Sequence, residues 1–348
     1  MKRARTIKIK KKVNDSSFIL YSVSFCFLVA LLIFSLNTIY VDYVLDQKQT
    51  VRNEKLYADF FSNTSLTSLS YLFIGDSHTR NAMHPDYVPS SFNLASNGEN
   101  YIQTYYKLKR VYDANITVES VVFELDYHML AHTKGDNCYV SDLFVYGKII
   151  EYEDLQSLCD KSFLSLWLES HLPFFGKGRE FSLLVNNPKW TEIYKGWGKL
   201  EQDFSKEDVQ KASSIKYFQH YEGKDLVDPL ILSYFQRTLK LANEHGSDII
   251  FVRYPVSKVY DDQMVGHNVS KQDFDRKVYS VIEDTLNGNY VIFDYYSYFF
   301  NVSYYFADPD HLNEKGAVVL STLFYDDATS SEVPSLESFP ILFEEEKE

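Results

Sequence analysis

Three cysteines in 348 residues are too few for a disulfide-stapled miniprotein or a four-cysteine zinc site. Thirteen glycines and nine prolines exclude a collagen-like chain, and no internal repeat or low-complexity tract occurs. Positive charge is also short. There are 35 Lys/Arg against 48 Asp/Glu, a formal net charge of −13, which argues against nucleic acid as a partner, because phosphates need a basic face. What remains is 45% hydrophobic and 24% charged, enough for one large α/β domain or two smaller ones and not a disordered chain.

The charge is unevenly placed. Residues 1–17 carry Lys2, Arg3, Arg5, Lys8, Lys10, Lys11 and Lys12 against Asp15, and residues 18–40 carry no charge. The net −13 less this +6 head leaves −19 for residues 41–348. Phe18 to Tyr40 is an uncharged apolar run that, at about 1.5 Å per helical residue, spans a hydrocarbon core of roughly 30 Å. Tyr21 and Tyr40 suit the interfacial aromatic belts, and the basic head is expected to stay cytoplasmic. The run exceeds a signal-peptide core and no Ala-x-Ala-like site follows, so a signal anchor with an extracytoplasmic acidic body is the expectation. Cys26 lies in the span. Cys138 and Cys159 would meet an oxidising compartment where pairing is permitted, without the sequence deciding it. Asn63, Asn115, Asn268 and Asn301 head N-x-Ser/Thr sequons, which matter only in a glycosylating host.

Beyond the span, residues 41–66 read as a polar juxtamembrane stalk and 67–326 as the body. Leu69–Ile74, Val118–Leu125, Asp248–Arg253 and Tyr290–Phe293 read as buried strands. Helical spacing marks Tyr101–Tyr112, Pro229–His245, Asp273–Asn287 and Glu314–Tyr325. Alternating strands and helices predict an α/β fold with a parallel sheet covered on both faces. Residues 131–224, rich in Trp, Phe, Tyr and Lys, break the pattern and read as an insertion, a lid or a helical subdomain. Residues 327–348 read as an acidic, disordered tail.

The first body strand runs into Gly75-Asp76-Ser77-His78-Thr79-Arg80, and Asp308-Pro309-Asp310-His311-Leu312-Asn313 precedes the last helix. Ligands in open α/β sheets bind at the carboxyl ends of strands. A serine hydroxyl becomes a nucleophile only beside a base that a third group orients. Asp308 and His311, three apart, can pair a carboxylate with one imidazole nitrogen and leave the other for Ser77. A plain alternative makes Ser77 a helix N-cap, and Asp308 or Asp310 the cap of the last helix. Each motif is short, and a Gly-Asp-Ser triplet arises by chance in roughly one such chain in ten; the placement on the strand–helix pattern carries the weight.

These residues resemble the SGNH/GDSL hydrolase superfamily, whose first block is matched by Gly75-Asp76-Ser77 and whose last block is matched by Asp308 and His311. The resemblance covers roughly residues 67–326. It implies a three-layer, flavodoxin-like α/β/α fold with Ser77 as nucleophile, His311 as general base and Asp308 orienting it. The second block implies an oxyanion hole from the N–H groups of Ser77 and Gly98, the latter in Asn93-Leu94-Ala95-Ser96-Asn97-Gly98. The third block, Gly-x-Asn-Asp, is missing, and Val121 to His128 stands in its place. That departure and the anchor are similar to the membrane-tethered proteins of alginate O-acetylation and teichoic-acid D-alanylation. Arg253, within Phe251-Val252-Arg253-Tyr254-Pro255-Val256, is then a candidate contact to substrate, weighed against a strand-edge Arg paired with a carboxylate.

His78, His84, His128 and His132 lack metal-ligand spacing, so no metal and no cofactor is expected. Trp167, Trp190, Trp197 and the insertion's other aromatics are candidates for a wall against sugar rings, though most aromatics are core. The expected function is a membrane-anchored, extracytoplasmic serine esterase or O-acyltransferase, acetyl being the expected group, acting on cell-surface polysaccharide. Its partners would be the membrane, a glycan acceptor and an acyl donor, the last supplied by a partner membrane protein in one version. The alternative is a catalytically silent glycan-binding or scaffold protein of a polysaccharide assembly complex.

Overall fold

The computed structural model describes residues 15–40, 57, 60–63, 66–133, 137–172, 193–195, 197–200, 204, 209–222 and 224–330. The basic head before Asp15, most of the expected stalk, Trp190 within the insertion and the tail from 331 onward lie outside these.

Asp15–Ile39 forms one helix, of which Phe18–Ile39 is long and apolar enough to cross a membrane, as an anchor or a signal sequence, with 0% of that window buried in the protein. Two of its hydroxyls bond to the helix's own backbone: Ser35 Oγ donates to the Leu31 carbonyl at 2.9 Å and Thr38 Oγ1 to that of Phe34 at 3.1 Å. Polar groups in hydrocarbon must find such internal partners.

The body is α/β. Strands β1 (Ser68–Ile74), β2 (Ser91–Asn93), β3 (Thr117–Glu124), β8 (Asp248–Arg253) and β9 (Val291–Asp294) form a five-stranded sheet in the order β2-β1-β3-β8-β9, every pair parallel. Register follows from pairs such as Leu72↔Phe92, Ile74↔Phe123, Phe123↔Phe251 and Phe251↔Ile292. This is the flavodoxin-like doubly wound order, which reverses direction between β1 and β3 and opens a crevice at their carboxyl ends.

Side-chain alternation explains the unbroken apolar runs. Leu72, Ile74, Val121, Phe123 and Phe251 face one core with helices Tyr101–Asp113, Pro229–Glu244 and Lys271–Leu286; Phe73, Val122 and Val252 face a second core with helix Glu314–Thr329. A sheet buried on both faces needs apolar residues at every position. The short edge strand β2 and helix Lys258–Gly266 carry too little periodicity to stand out in sequence.

The insertion is stitched onto this domain. Its base is an antiparallel pair, β4 (His132–Thr133) with β7 (Lys224–Asp225). A Cys138–Cys159 disulfide, 21 residues apart in sequence, ties its first part together. A hairpin of β5 (Ile193–Tyr194) and β6 (Trp197–Gly198) follows, in which Trp197 Nε1 donates to the Asn81 carbonyl at 2.9 Å. Helix Val209–Tyr221 then packs beside helix Lys258–Gly266 at the carboxyl end of the sheet.

Candidate active site

Ser77 sits at a turn with no spare volume. A Cβ on Gly75 would lie 2.3 Å from Thr79 Oγ1 and 2.4 Å from Glu124 Oε2, so only glycine lets strand β1 pass so close to β3. Asp76 caps the short helix Ser77–Ala82 by accepting from the His78 N–H at 2.8 Å. The cap is therefore Asp76, and Ser77 is the first helical residue. Behind the turn, Glu124 Oε2 accepts from the Asp76 N–H at 2.8 Å, the Thr79 N–H at 3.2 Å and the Thr79 hydroxyl at 2.7 Å. Burial, with Asp76 and Asp126 adjacent, raises the Glu124 carboxyl well above its ordinary range.

His311 meets Ser77 from the loop that follows β9. Its Nε2 lies 2.8 Å from Ser77 Oγ, and its Nδ1 lies 2.8 Å and 3.0 Å from the two oxygens of Asp308. Asp308 Oδ1 also accepts from the N–H groups of Asp310 at 3.1 Å and His311 at 3.0 Å, so one carboxylate shapes the loop and aims the ring. The last helix is capped by Asn313, which accepts from the Gly316 N–H at 3.0 Å. Neither Asp308 nor Asp310 is spent as a cap.

Around this relay stands a buried layer that sequence reasoning missed. His78, the neighbour of Ser77, lies with Nδ1 2.5 Å from Asp126 Oδ2 and Nε2 3.4 Å from Asp310 Oδ2. Burial works to lower its pKa, but those two carboxylates outweigh it and raise it well above its ordinary value. Asp126 Oδ1 accepts from the Tyr254 N–H at 2.9 Å, fixing that carboxylate to the end of β8. His128 Nε2 lies 2.8 Å from Asp76 Oδ2. Burial tends to raise Asp76, yet the charges of His128 and His78 hold it well below the usual carboxylate range. His220 stacks on His128, with centroids 4.4 Å apart, and its Nδ1 lies 2.6 Å from the Tyr260 hydroxyl. Burial and the neighbouring His128 push its pKa well down. The available signal was faint: His78 adjoins the serine, and Asp126 and His128 stand two apart beyond β3.

Ser77, His311, His128 and Gly98 line one cavity of about 480 Å³, together with Tyr139 from the insertion and Lys216 and His220 from helix Val209–Tyr221. Gly98 takes a left-handed φ of +71°. Its loop is pinned by Asn93, whose Nδ2 donates to the Thr79 and Met83 carbonyls, both at 2.9 Å. In the segment where the resemblance would place an Asn donor, the cavity-lining side chain is His128.

Arg253 is not brought to this cavity. Its guanidinium donates to Asp275 at 2.7 Å and Asp294 at 3.0 Å and lies over the Tyr127 ring. Of the two readings left open, the contacts are those of a strand Arg paired with carboxylates: Asp275, Asp294 and the Tyr127 ring hold it at the carboxyl end of β8. Of the tryptophans, Trp197 packs on His84, and neither it nor Trp167 lines the cavity.

Two groups have donor atoms close enough to hold an ion: His78, Glu124, Asp126 and His128, and His78, Asp310 and His311. Most of their nitrogens and oxygens face one another in the contacts above, but one oxygen in each group, Glu124 Oε1 in the first and Asp310 Oδ1 in the second, is buried without a hydrogen-bond partner. No protein-family model matches the chain, and no curated protein matches it either.

Proposed function

We propose that this chain is an SGNH-like acyl-transfer enzyme, held by Phe18–Ile39 in a membrane with its body outside the cytosol. The observation that carries the reading is the Asp308–His311–Ser77 relay, 2.8 Å at each step, opening on a cavity at the carboxyl ends of β1 and β3.

In this reading Ser77 Oγ attacks the carbonyl carbon of an acyl donor, an acetyl ester or thioester, while His311 Nε2 takes the hydroxyl proton. Asp308 keeps the imidazole in the tautomer with Nδ1–H, and stabilises its cation. The N–H groups of Ser77 and Gly98 would face the oxyanion. As the tetrahedral carbon collapses, its bond to the leaving group breaks, and the proton passes from His311 to that group. The acyl-serine then meets a hydroxyl of a surface glycan, or water. His311 takes that proton and returns it to Ser77 Oγ as the second bond breaks. His128 stands where a further donor would act. Its engagement with Asp76 supports a site departing from a simple esterase.

The full chain in detergent, treated with a fluorophosphonate probe, is expected to label at Ser77. Loss of label in Ser77→Ala supports the enzyme. A folded wild-type chain that takes no label overturns it in favour of the glycan-binding or scaffold alternative.

A further inference from the structure

Lys216 projects from the insertion helix Val209–Tyr221 into the back of the relay. Its ammonium lies 3.0 Å from Asp310 Oδ1, 3.3 Å from Asp308 Oδ2 and 3.1 Å from His311 Nδ1. A protonated amine and an imidazole N–H are both donors, so the last distance is not a bond between them. Both groups converge on the same carboxylates.

That convergence resolves a conflict built into the Asp308-Pro309-Asp310-His311 loop. Two carboxylates stand within reach of one N–H: Asp308 Oδ2 at 2.8 Å and Asp310 Oδ1 at 3.4 Å from His311 Nδ1. Asp310 is fully buried, and without a cation on Oδ1 it would compete with Asp308 for the ring and repel it. Asp310's other oxygen already faces His78 at 3.4 Å.

We propose that Lys216 is a positioning residue. By occupying Asp310 Oδ1 and bridging to Asp308, it commits His311 Nδ1–H to Asp308 and so aims Nε2 at Ser77. Because Lys216 belongs to the insertion, the relay is complete only when helix Val209–Tyr221 is seated on helix Lys258–Gly266. The seat is visible in His220, bonded to the Tyr260 hydroxyl at 2.6 Å, and in Tyr217 stacked on His267 with centroids 4.1 Å apart. The insertion thereby does more than wall the cavity.

The test uses the full chain in detergent with Lys216→Met, which keeps the stem and removes the charge, and Lys216→Arg, which keeps the charge. One readout is independent of any acyl chemistry: the downfield proton resonance of an imidazole Nδ1–H bonded to a carboxylate, assigned to His311 by its loss in His311→Gln. It is expected in wild type and Lys216→Arg and absent in Lys216→Met; its persistence in a folded Lys216→Met overturns the inference. The second readout rests on the acyl-transfer reading. At saturating fluorophosphonate, Lys216→Met is expected to label about 10- to 100-fold more slowly, with the half-saturating concentration unchanged and Lys216→Arg restoring the rate. Wild-type rates in Lys216→Met overturn the inference, whereas an unlabelled wild type overturns only the acyl-transfer reading and leaves the proton resonance to decide. Lys216→Gln replaces the Met variant if that one does not fold.

Discussion

The rings of His78 and His311 meet edge to face with centroids 5.2 Å apart, and each turns its Nδ1 to a different carboxylate, Asp126 at 2.5 Å and Asp308 at 2.8 Å. Asp310 stands between them, 3.4 Å from His78 Nε2 and 3.4 Å from His311 Nδ1. Ser77 and its immediate neighbour thus divide the work. The serine faces the cavity, and the histidine ties the loop that carries Asp310 and His311 to the ends of β3 and β8.

Asp308→Asn tests the orienting role. An amide at Oδ can no longer favour the Nδ1–H tautomer, so fluorophosphonate labelling should fall by about 10³- to 10⁴-fold with little change in melting temperature. Labelling kinetics beside a thermal melt check this. A rate within tenfold of wild type would remove Asp308 from the relay.

Gly75→Ala tests the crowding beneath Ser77. With Thr79 Oγ1 and Glu124 Oε2 at 2.3 Å and 2.4 Å from the new Cβ, neighbouring groups must move. The expected loss is about 1–3 kcal/mol of stability together with loss of labelling. Urea denaturation and the probe assay measure the two effects. Gly98→Ala meets open space but carries a φ of +71°, so its cost should be near 1 kcal/mol, from backbone strain alone.

Glu124 separates charge from shape. Burial and the adjacent carboxylates favour its neutral form, so Glu124→Gln, which keeps an acceptor for Asp76 and Thr79, should fold with near wild-type stability. Glu124→Ala strands three donors and should lose about 1–3 kcal/mol or more. A raised carboxyl pKa means that the fold holds a proton the unfolded chain has released, a contribution lost as pH rises through the folded value. The Gln variant should therefore gain on wild type toward alkaline pH in thermal melts.

His78 and His220 should shape the pH profile in opposite ways. His78 is raised above 6.5, so its contribution is whole below that pH and is lost as pH climbs through the folded value. The stability gap between wild type and His78→Gln should narrow on the alkaline side. His220 is depressed below 6.5, so its penalty grows as pH falls, and His220→Phe should flatten the acid limb. Melts across pH 5 to 9 (a range set by the method) decide both; parallel curves for wild type and variants would contradict them.

Cys138→Ser with Cys159→Ser opens a link spanning 21 residues. Closing a loop of that size stabilises by about 3 kcal/mol in the chain-entropy account. Because Cys138 and Tyr139 border the cavity, reduction should also slow labelling, which a dithiothreitol titration followed by both melting and probe rate would report.

Much of this protein can be read directly from its sequence, for identifiable reasons. The uncharged run from Phe18 declares itself by length, and the runs around Leu72, Val122 and Phe251 declare a sheet buried on both faces, since only such strands are apolar at every position. The helices at Tyr101 and Pro229 follow from their spacing, and Ser77, Asp308 and His311 are singled out by two short motifs, one at the end of the first body strand and one before the last helix.

Tertiary structure decided the rest. That Ser77 and Asp308 are not the helix caps depended on Asp76 and Asn313 taking those positions, which spacing does not distinguish. Arg253 was drawn to Asp275 and Asp294, charges that adjoin it only after helix Lys271–Leu286 packs and β9 pairs with β8. Lys216 reaches His311 across a sequence separation of 95 from a segment whose periodicity gave no sign of it. Local pattern fixes which segments become strands and helices, because burial acts residue by residue along the chain. The electrostatic neighbourhood of a catalytic group is set by the few ångströms between distant segments, and only the packed fold creates those distances.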